Sequence, residues 1–240
     1  MALGGTVSAS ALYLGLTKDL YAAPSGPIVI GHQCELTGGF SSWGYWHDKC
    51  AKAAVKIIND GGGIAGRKVK LAIEDTESNP AAGSRKLRSL IERRKASFVV
   101  GSVHSGIMLA SIPIATELKT PYFSAGEATE ATGSKGSRYS FRTGTDTYAL
   151  AAAGAPWAFK NLGKTWTMIF PDYAWGHSHH QEHKKLIESL GGKVNDPIAV
   201  PLGTKDLVPY LSKIPKNTEV LFSVFFGALS VAFYTQQKAM

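Results

Sequence analysis

From residue 27 onward the chain alternates strand-like and helix-like segments joined by short connections, and this alternation constrains its fold more than any other feature. Apolar periodicity predicts strands near 27–31, 68–74, 97–101, 121–124, 138–142, 165–170, 194–200 and 219–225. It predicts helices near 42–60, 80–95, 105–118, 146–161, 175–190, 204–213 and 227–238. Such an order argues for parallel sheets flanked by helices, with ligands held at the carboxyl ends of strands. Glycine and serine gather at two of those ends, in Gly101-Ser102 and in Ser124-Ala125-Gly126.

The run Asn59-Asp60-Gly61-Gly62-Gly63-Ile64-Ala65-Gly66-Arg67-Lys68-Val69 invites a different reading. Gly61, Gly63 and Gly66 have the G-x-G-x-x-G spacing of a dinucleotide fingerprint, which requires a strand before the glycines and a helix after them. Here the order is reversed. Ala51 to Ile58 is helical in composition and period, and Lys68 to Glu74 alternates as a strand does. The glycines therefore stop a helix and turn the chain.

A chain of 240 residues can bury a full core in one large or two small domains. The net charge of +8 is spread along the sequence, with Arg85, Lys86, Arg88, Arg93, Arg94 and Lys95 the one dense cluster. No recognition helix or stacking motif accompanies that cluster, so it reads as a solvated helix face and no nucleic-acid partner is expected. Residues 1–23 form a signal-like segment, apolar from Leu3 to Leu16 and ending in Tyr21-Ala22-Ala23-Pro24. Nothing basic precedes Lys18, which reads as a clipped or misassigned start. The apolar stretch is too short and glycine-interrupted for a lasting anchor. Export would permit a disulfide between Cys34 and Cys50, the two cysteines. Their approach depends on side-chain direction. Two free thiols is the reading taken.

Several landmarks together resemble the type I periplasmic solute-binding proteins of ABC importers, in the leucine/isoleucine/valine (branched-chain amino-acid) group. They are Ile28-Val29-Ile30-Gly31 with Leu36-Thr37-Gly38, Glu74-Asp75-Thr76 to Pro80, Val99-Val100-Gly101-Ser102, Phe170-Pro171-Asp172-Tyr173-Ala174-Trp175-Gly176 and Leu190-Gly191-Gly192-Lys193-Val194. The resemblance covers roughly residues 27–240. It implies two doubly wound parallel-sheet lobes joined by a hinge. Lobe one would span 24–141 and lobe two 142–240, with the crossing just after the turn-rich connector Ala131 to Ser137. In the family the chain later returns to the first lobe, whereas this sequence ends inside a helical pattern, so the second half of the fold is expected to be incomplete.

Enzyme signatures are missing: there is no G-x-x-x-x-G-K-[ST], G-x-S-x-G, H-E-x-x-H or paired C-x-x-C. The chain is read as no enzyme, with no catalytic residue, no cofactor and no metal. His177, His179, His180 and His183 form an unusual cluster, and His179 and His183 stand four residues apart on a predicted helix, a spacing that can hold a divalent cation. Two ligands from one turn are too few, so the cluster is read as a solvated helix start.

For a ligand, the resemblance and physical reasoning converge on the loops after the third and fourth strands. Ser102, His104 and Ser105 sit where a helix begins, and free N–H groups there attract anions. In amino-acid-binding relatives a serine at this place holds the ligand carboxylate, and His104 in place of the usual serine would add a positive contact. The competing role for His104 and Ser105 is a simple N-cap. Gly126, Ala128 and Thr129 match a loop that presents backbone groups and a threonine to the ligand, while Glu127 is read as facing solvent. Trp43 and Trp175 match aromatic cleft walls, and Phe225 another, with core packing the alternative for each. Asp146 matches an acidic residue near the ligand ammonium, or else caps a helix.

The function these expectations describe is an extracytoplasmic, periplasmic receptor. It would capture a small organic ligand, an amino acid or a related amide or carboxylate, in an interlobe cleft and deliver it to the ABC permease membrane subunits. The alternatives are a sensor of the same fold that regulates a signalling partner and a metal-dependent hydrolase built on the histidines.

Overall fold

The computed structural model describes residues 26–238, so the signal-like segment lies outside the described residues. Five parallel strands form the first sheet: β1 (Ile28–Cys34), β2 (Val69–Asp75), β3 (Phe98–Gly101), β4 (Tyr122–Ser124) and β5 (Ser140–Arg142), in the order β2-β1-β3-β4-β5. Helices α1 (Ser41–Asp60), α2 (Pro80–Glu92) and α3 (Ser105–Glu117) connect them. The chain starts in mid-sheet and winds outward in both directions, as a doubly wound fold does. α2 begins where Asn79 Oδ1 accepts the Ala82 N–H at 3.0 Å and Pro80 takes the first turn, where its missing N–H costs nothing. Leu87, Leu90, Val99, Met108, Ile112 and Tyr122 then close the core between α2, α3 and the sheet.

The glycine run performs the predicted turn. The Gly63 N–H donates to Ile58 O at 2.8 Å, and Ile64 and Arg67 exchange both backbone bonds, at 2.9 and 3.0 Å. Gly63 has φ +86°, and a Cβ there would stand 2.1 Å from the Arg67 carbonyl oxygen. Asn59 completes the junction, accepting the Val69 N–H at 2.7 Å and donating to Val69 O at 2.9 Å, so that its amide joins the end of α1 to the start of β2. α1 itself buries a single residue, Gly44, which comes so close to the Glu35 carbonyl that a Cβ would lie 1.9 Å from its oxygen. Cys34 is buried beneath this contact, its Sγ donating to Gly44 O at 3.3 Å, and burial pushes the thiol up to about 12. Cys50 is exposed on α1, and both thiols are free.

The second sheet is built on β6 (Thr165–Pro171), with β7 (Lys193–Val194), β8 (Ile198–Val200) and β9 (Val220–Ser223), all parallel to it. Trp166 stands opposite both Val194 and Val220, and Ile169 opposite both Ile198 and Ser223, so β7 and β8 share one edge of β6 while β9 takes the other. The strand expected over 194–200 is thus two pieces. Asn195-Asp196-Pro197 intervenes, Pro197 has no N–H to give the ladder, and the pairing register slips by one residue across the break. α4 (Thr147–Asn161), α5 (Ala174–Ser189), α6 (Val208–Leu211) and α7 (Gly227–Gln237) complete this lobe. The helix expected over 204–213 shrinks to the one turn of α6, because Pro209 fits only a first turn and Pro215 follows closely. Ile169, Ile198, Val200, Leu207, Leu229 and Phe233 fill the core on one side, and Trp166 and Ile187 anchor a second cluster.

The connector 131–137 does not itself leave the first lobe, since β5 follows it and pairs with β4. The crossing comes at 143–146, held on both sides: Thr143 N–H donates to Ser124 O at 2.9 Å and Thr147 N–H to Glu127 O at 3.0 Å. No described helix is long and apolar enough to cross a membrane.

The turn geometry separates two alanine substitutions. Gly63→Ala meets the Arg67 carbonyl and should lower stability by roughly 3 kcal/mol, whereas Gly66→Ala, at φ +76° with open space around it, should cost only about 1 kcal/mol. Urea denaturation of the two variants checks this; equal losses would show that the close approach at Gly63 is relieved by the backbone.

Candidate functional site

The carboxyl ends of β1, β3 and β4 converge on the start of α3. Ser102, just after β3, is held at φ +51° although it is not glycine, with its N–H donating to Gln33 O at 2.8 Å and its carbonyl accepting from Ala125 N–H and from Ser124 Oγ. Its Oγ donates to Glu35 Oε1 at 2.6 Å, and the His104 N–H reaches the same oxygen at 3.4 Å. Glu35 is fully buried, and its Oε2 has no hydrogen-bond partner among the described residues. His104 caps α3. Its Nδ1 accepts from Gly106 N–H at 3.0 Å and Ile107 N–H at 3.3 Å, which fixes the proton of the neutral ring on Nε2. Burial pushes the imidazole down to about 4, so the positive contact expected from His104 is absent at neutral pH. Ser105 Oγ accepts the Glu127 and Ala128 N–H groups at 3.1 and 3.3 Å, tying the loop after β4 to α3. Gly126 lies where that loop crosses Met108 Sδ and the Ser105 Cα.

Aromatic rings from both lobes meet above this floor. Phe40 packs on His104 with ring centroids 4.6 Å apart, on Tyr173 at 5.6 Å and on Phe226 at 5.2 Å, and Tyr173 packs on His104 at 4.9 Å. Trp175, at the start of α5, packs on Tyr173 and Phe226 and donates its indole N–H across the gap to Glu127 Oε2 at 2.7 Å. Glu127 was expected to face solvent; the arrival of an indole N–H opposite it turns it inward instead. Beside the rings lies a cleft of about 710 Å³, with Phe40, Trp43 and Ser78 on one lobe and Leu202, Lys205 and Phe226 on the other.

The structure thus gathers Ser102, His104, Ser105, Gly126, Ala128 and Trp175 in one place, with Trp43 at the cleft wall. Thr129 belongs to the crossing: its N–H donates to Ser178 Oγ at 3.1 Å and its Oγ1 bonds Thr147 Oγ1 at 2.8 Å. Asp146 caps α4, accepting the Ala149 N–H at 2.6 Å, and pairs with Arg142 at 2.7 Å. Phe225 turns into the second lobe's core against Phe233, and its neighbour Phe226 carries the ring that faces the cleft. β9 ends at Ser223 rather than at 225, which leaves both phenylalanines in the loop before α7. Phe40, Tyr173 and Glu35 were not anticipated. Phe40 and Tyr173 each lie two residues before a predicted helix start and Glu35 four residues past a predicted strand end, but nothing in their own neighbourhoods of sequence distinguishes them from core residues.

Of the histidines of α5, His177 is solvated as expected and bonds Asp172 Oδ1 at 2.7 Å, but the rest of the cluster turns inward. His179 and His183 are 4% and 2% exposed, packed on Trp175 and Phe222 respectively, and burial lowers both. His183 Nδ1 bonds His179 O at 2.8 Å, an arrangement that turns it to the backbone, and no group of three or more metal-binding side chains occurs among the described residues.

A family model described as "Periplasmic binding protein" matches residues 27–240. The chain belongs to this family. A Leu/Ile/Val-binding protein homolog 1 of Brucella abortus is 27% identical over 189 residues, 78% of this chain and 50% of the relative. Among solved structures, a solute binding protein of an ABC transporter from R. palustris in complex with benzoate superposes with TM-score 0.77 at 22% identity, over 89% of this chain and 59% of that one. The branched-chain amino acid transporter substrate binding protein LivJ from Streptococcus pneumoniae, in complex with isoleucine, gives 0.75 at 23% identity, over 89% and 61%. The two structures establish the type I two-lobed fold. The chain spans about half the length of this curated relative and about 60% of the solved structures.

Buried neutral histidines make stability depend on acid. Unfolded, these side chains bind a proton near the ordinary 6.5; folded, His104 does so only near 4 and His179 only near 3, in both cases because burial penalises the charged ring. Their stabilising share is complete above 6.5 and drains away as pH falls toward the folded values. At pH 5 the loss from His104 alone is on the order of 2 kcal/mol. Denaturation midpoints should therefore fall steadily between pH 7 and pH 4.5, and a flat profile would contradict neutral, buried rings.

Proposed function

We propose that this chain is the ligand-capturing portion of an extracytoplasmic solute receptor of an ABC importer. A small organic molecule would enter between the lobes, the lobes would close on it, and the closed form would deliver it to permease subunits. The observation that carries this reading is the convergence of rings from both lobes, Phe40 from one and Tyr173, Trp175 and Phe226 from the other, over a floor of strand ends and a helix start. Strand ends at a two-lobed junction are where α/β folds hold ligands, and apolar walls with a few placed polar groups suit a small solute. The relatives' printed names, with Leu/Ile/Val, isoleucine and benzoate, support a ligand of that size. Trp43, Ser102, His104, Ser105, Gly126, Ala128 and Trp175 are the residues from this chain offered as its surroundings, joined by Phe40, Tyr173 and Phe226.

Closure is a population shift set by the ligand's preference for the closed arrangement. Trp175 spans the lobes in that arrangement, so its loss removes both a wall and the bond to Glu127. Thermal-shift screening of the chain against amino acids, carboxylates, amides and amines should find a compound that raises the melting temperature. Trp175→Ala should abolish that rise. A rise that survives the substitution would take Trp175 out of the site.

A further inference from the structure

At the end of the first lobe remote from the cleft, each helix hands the chain back to a strand. Residues 61–68, 93–97 and 118–121 lead from α1, α2 and α3 into β2, β3 and β4, and residues 137–139 lead into β5. Arg67 and Lys68 stand in the first of these connections and Arg93, Arg94 and Lys95 in the second, with Lys119 in the third and Arg138 in the fourth. None of the four contains an acidic residue. Against a net charge of +8 for the whole chain, these cations are most of the excess, so the topology gathers at one end of one lobe a charge that is spread along the sequence.

Helix ends alone do not account for the concentration. A helix C-terminus favours a cation beside its last carbonyls, and Lys68 makes that bond, from Nζ to Asn59 O at 2.7 Å. Arg94 is shared with Glu74 at 3.4 Å, and Arg138 lies over the Tyr139 ring at 5.6 Å. Arg93, Lys95 and Lys119 are exposed, with no ion-pair partner among the described residues. The acidic residues closest in sequence, Asp60, Glu92 and Glu117, are the last of their helices and are already engaged, the first by Lys56 and the other two by Arg88. Like charges gathered in this way repel one another and favour an external anionic partner.

Two further features favour a bilayer over a nucleic acid as that partner. The turn between α1 and β2 is apolar at its tip, where Ile64 is 40% exposed among small residues, with Arg67 and Lys68 behind it. Gly26 O accepts from Arg67 Nε at 2.8 Å, so the apolar sequence from Leu3 to Leu16 joins the fold at this same end. Anionic headgroups offer a plane of negative charge that attracts Lys and Arg, and an apolar tip among cations suits the boundary between headgroups and acyl chains.

We infer that this end of the first lobe rests on an anionic phospholipid surface, its cations facing the headgroup phosphates and the cleft directed away from the bilayer. The inference goes beyond the receptor reading and does not depend on it.

Cosedimentation of the chain with vesicles of phosphatidylcholine alone, and with vesicles in which a quarter of the lipid is phosphatidylglycerol, tests it. At low salt the anionic vesicles should bind about tenfold more tightly, and high salt should erase the difference. Arg93→Gln, Lys95→Gln and Lys119→Gln together, all at exposed positions, should weaken binding to the anionic vesicles about tenfold. Equal partition onto both kinds of vesicle would overturn the inference, as would an affinity for the anionic vesicles that the triple substitution leaves unchanged. A DNA duplex bound more tightly, per phosphate, than the anionic vesicles would also overturn it and assign this end to nucleic acid. Each of these failures would leave ligand capture in the cleft untouched.

Discussion

The arrangement of the two lobes depends on the guanidinium of Arg142. It closes β5 and bonds the Ala128 carbonyl at 3.2 Å, Thr132, and Asp146 at 2.7 Å, so that one side chain joins the last strand of the first sheet, the loop that forms the cleft floor and the first turn of α4. With 10% of its side chain exposed, the pair with Asp146 is screened far less than a surface ion pair. Through this anchor the direction in which the second lobe departs is coupled to the position of the loop carrying Glu127. Ser178 supports the coupling from the other side, donating to Glu130 at 3.0 Å while taking the Thr129 N–H. The aromatic contacts across the cleft can form because these polar joints set the approach of the lobes first.

Much of the architecture was legible in sequence because it rests on local rules. The order of strands and helices follows from periodicity, and the role of the glycine run follows from what precedes and follows it, as its φ values and its junction with Asn59 bear out. Departures occur where proline acts on hydrogen bonding: Pro197 splits a strand that reads as continuous, and Pro209 with Pro215 reduces a helix to one turn. The cleft was only partly legible. The helix start at Ser105 and the tryptophan of α5 announce themselves through neighbouring residues, but a choice between Phe225 and Phe226 depends on where β9 ends, and a shift of one residue reverses which ring faces the core. Burial of His179 and His183 was hidden because a polar run carries no sign of the face that a helix turns inward.

The start of α3 shows how a helix terminus can lose the property expected of it. Unpaired amides at such a terminus form an anion site. Here the His104 ring nitrogen and the carboxylate of Glu35, just past β1, accept protons of that terminus, the Ser105 hydroxyl accepts those of the loop after β4, and Ser102 is held in its strained conformation by hydrogen bonds to Gln33, Ala125, Ser124 and Glu35. The chemistry at this helix start therefore belongs to the side chains that fill it.

The unequal burial of the two cysteines has a practical consequence. Cys34 lies under the Glu35–Gly44 contact with its thiol pushed up to about 12, and the nucleophilic thiolate is scarcely populated there at neutral pH. Cys50 stands in solvent on the outer surface of α1, a helix that buries almost none of its side chains. A maleimide dye thus finds one address on the unaltered chain, on the lobe opposite the tryptophan of α5, and a spectroscopic ruler between the lobes needs only its second end to be engineered.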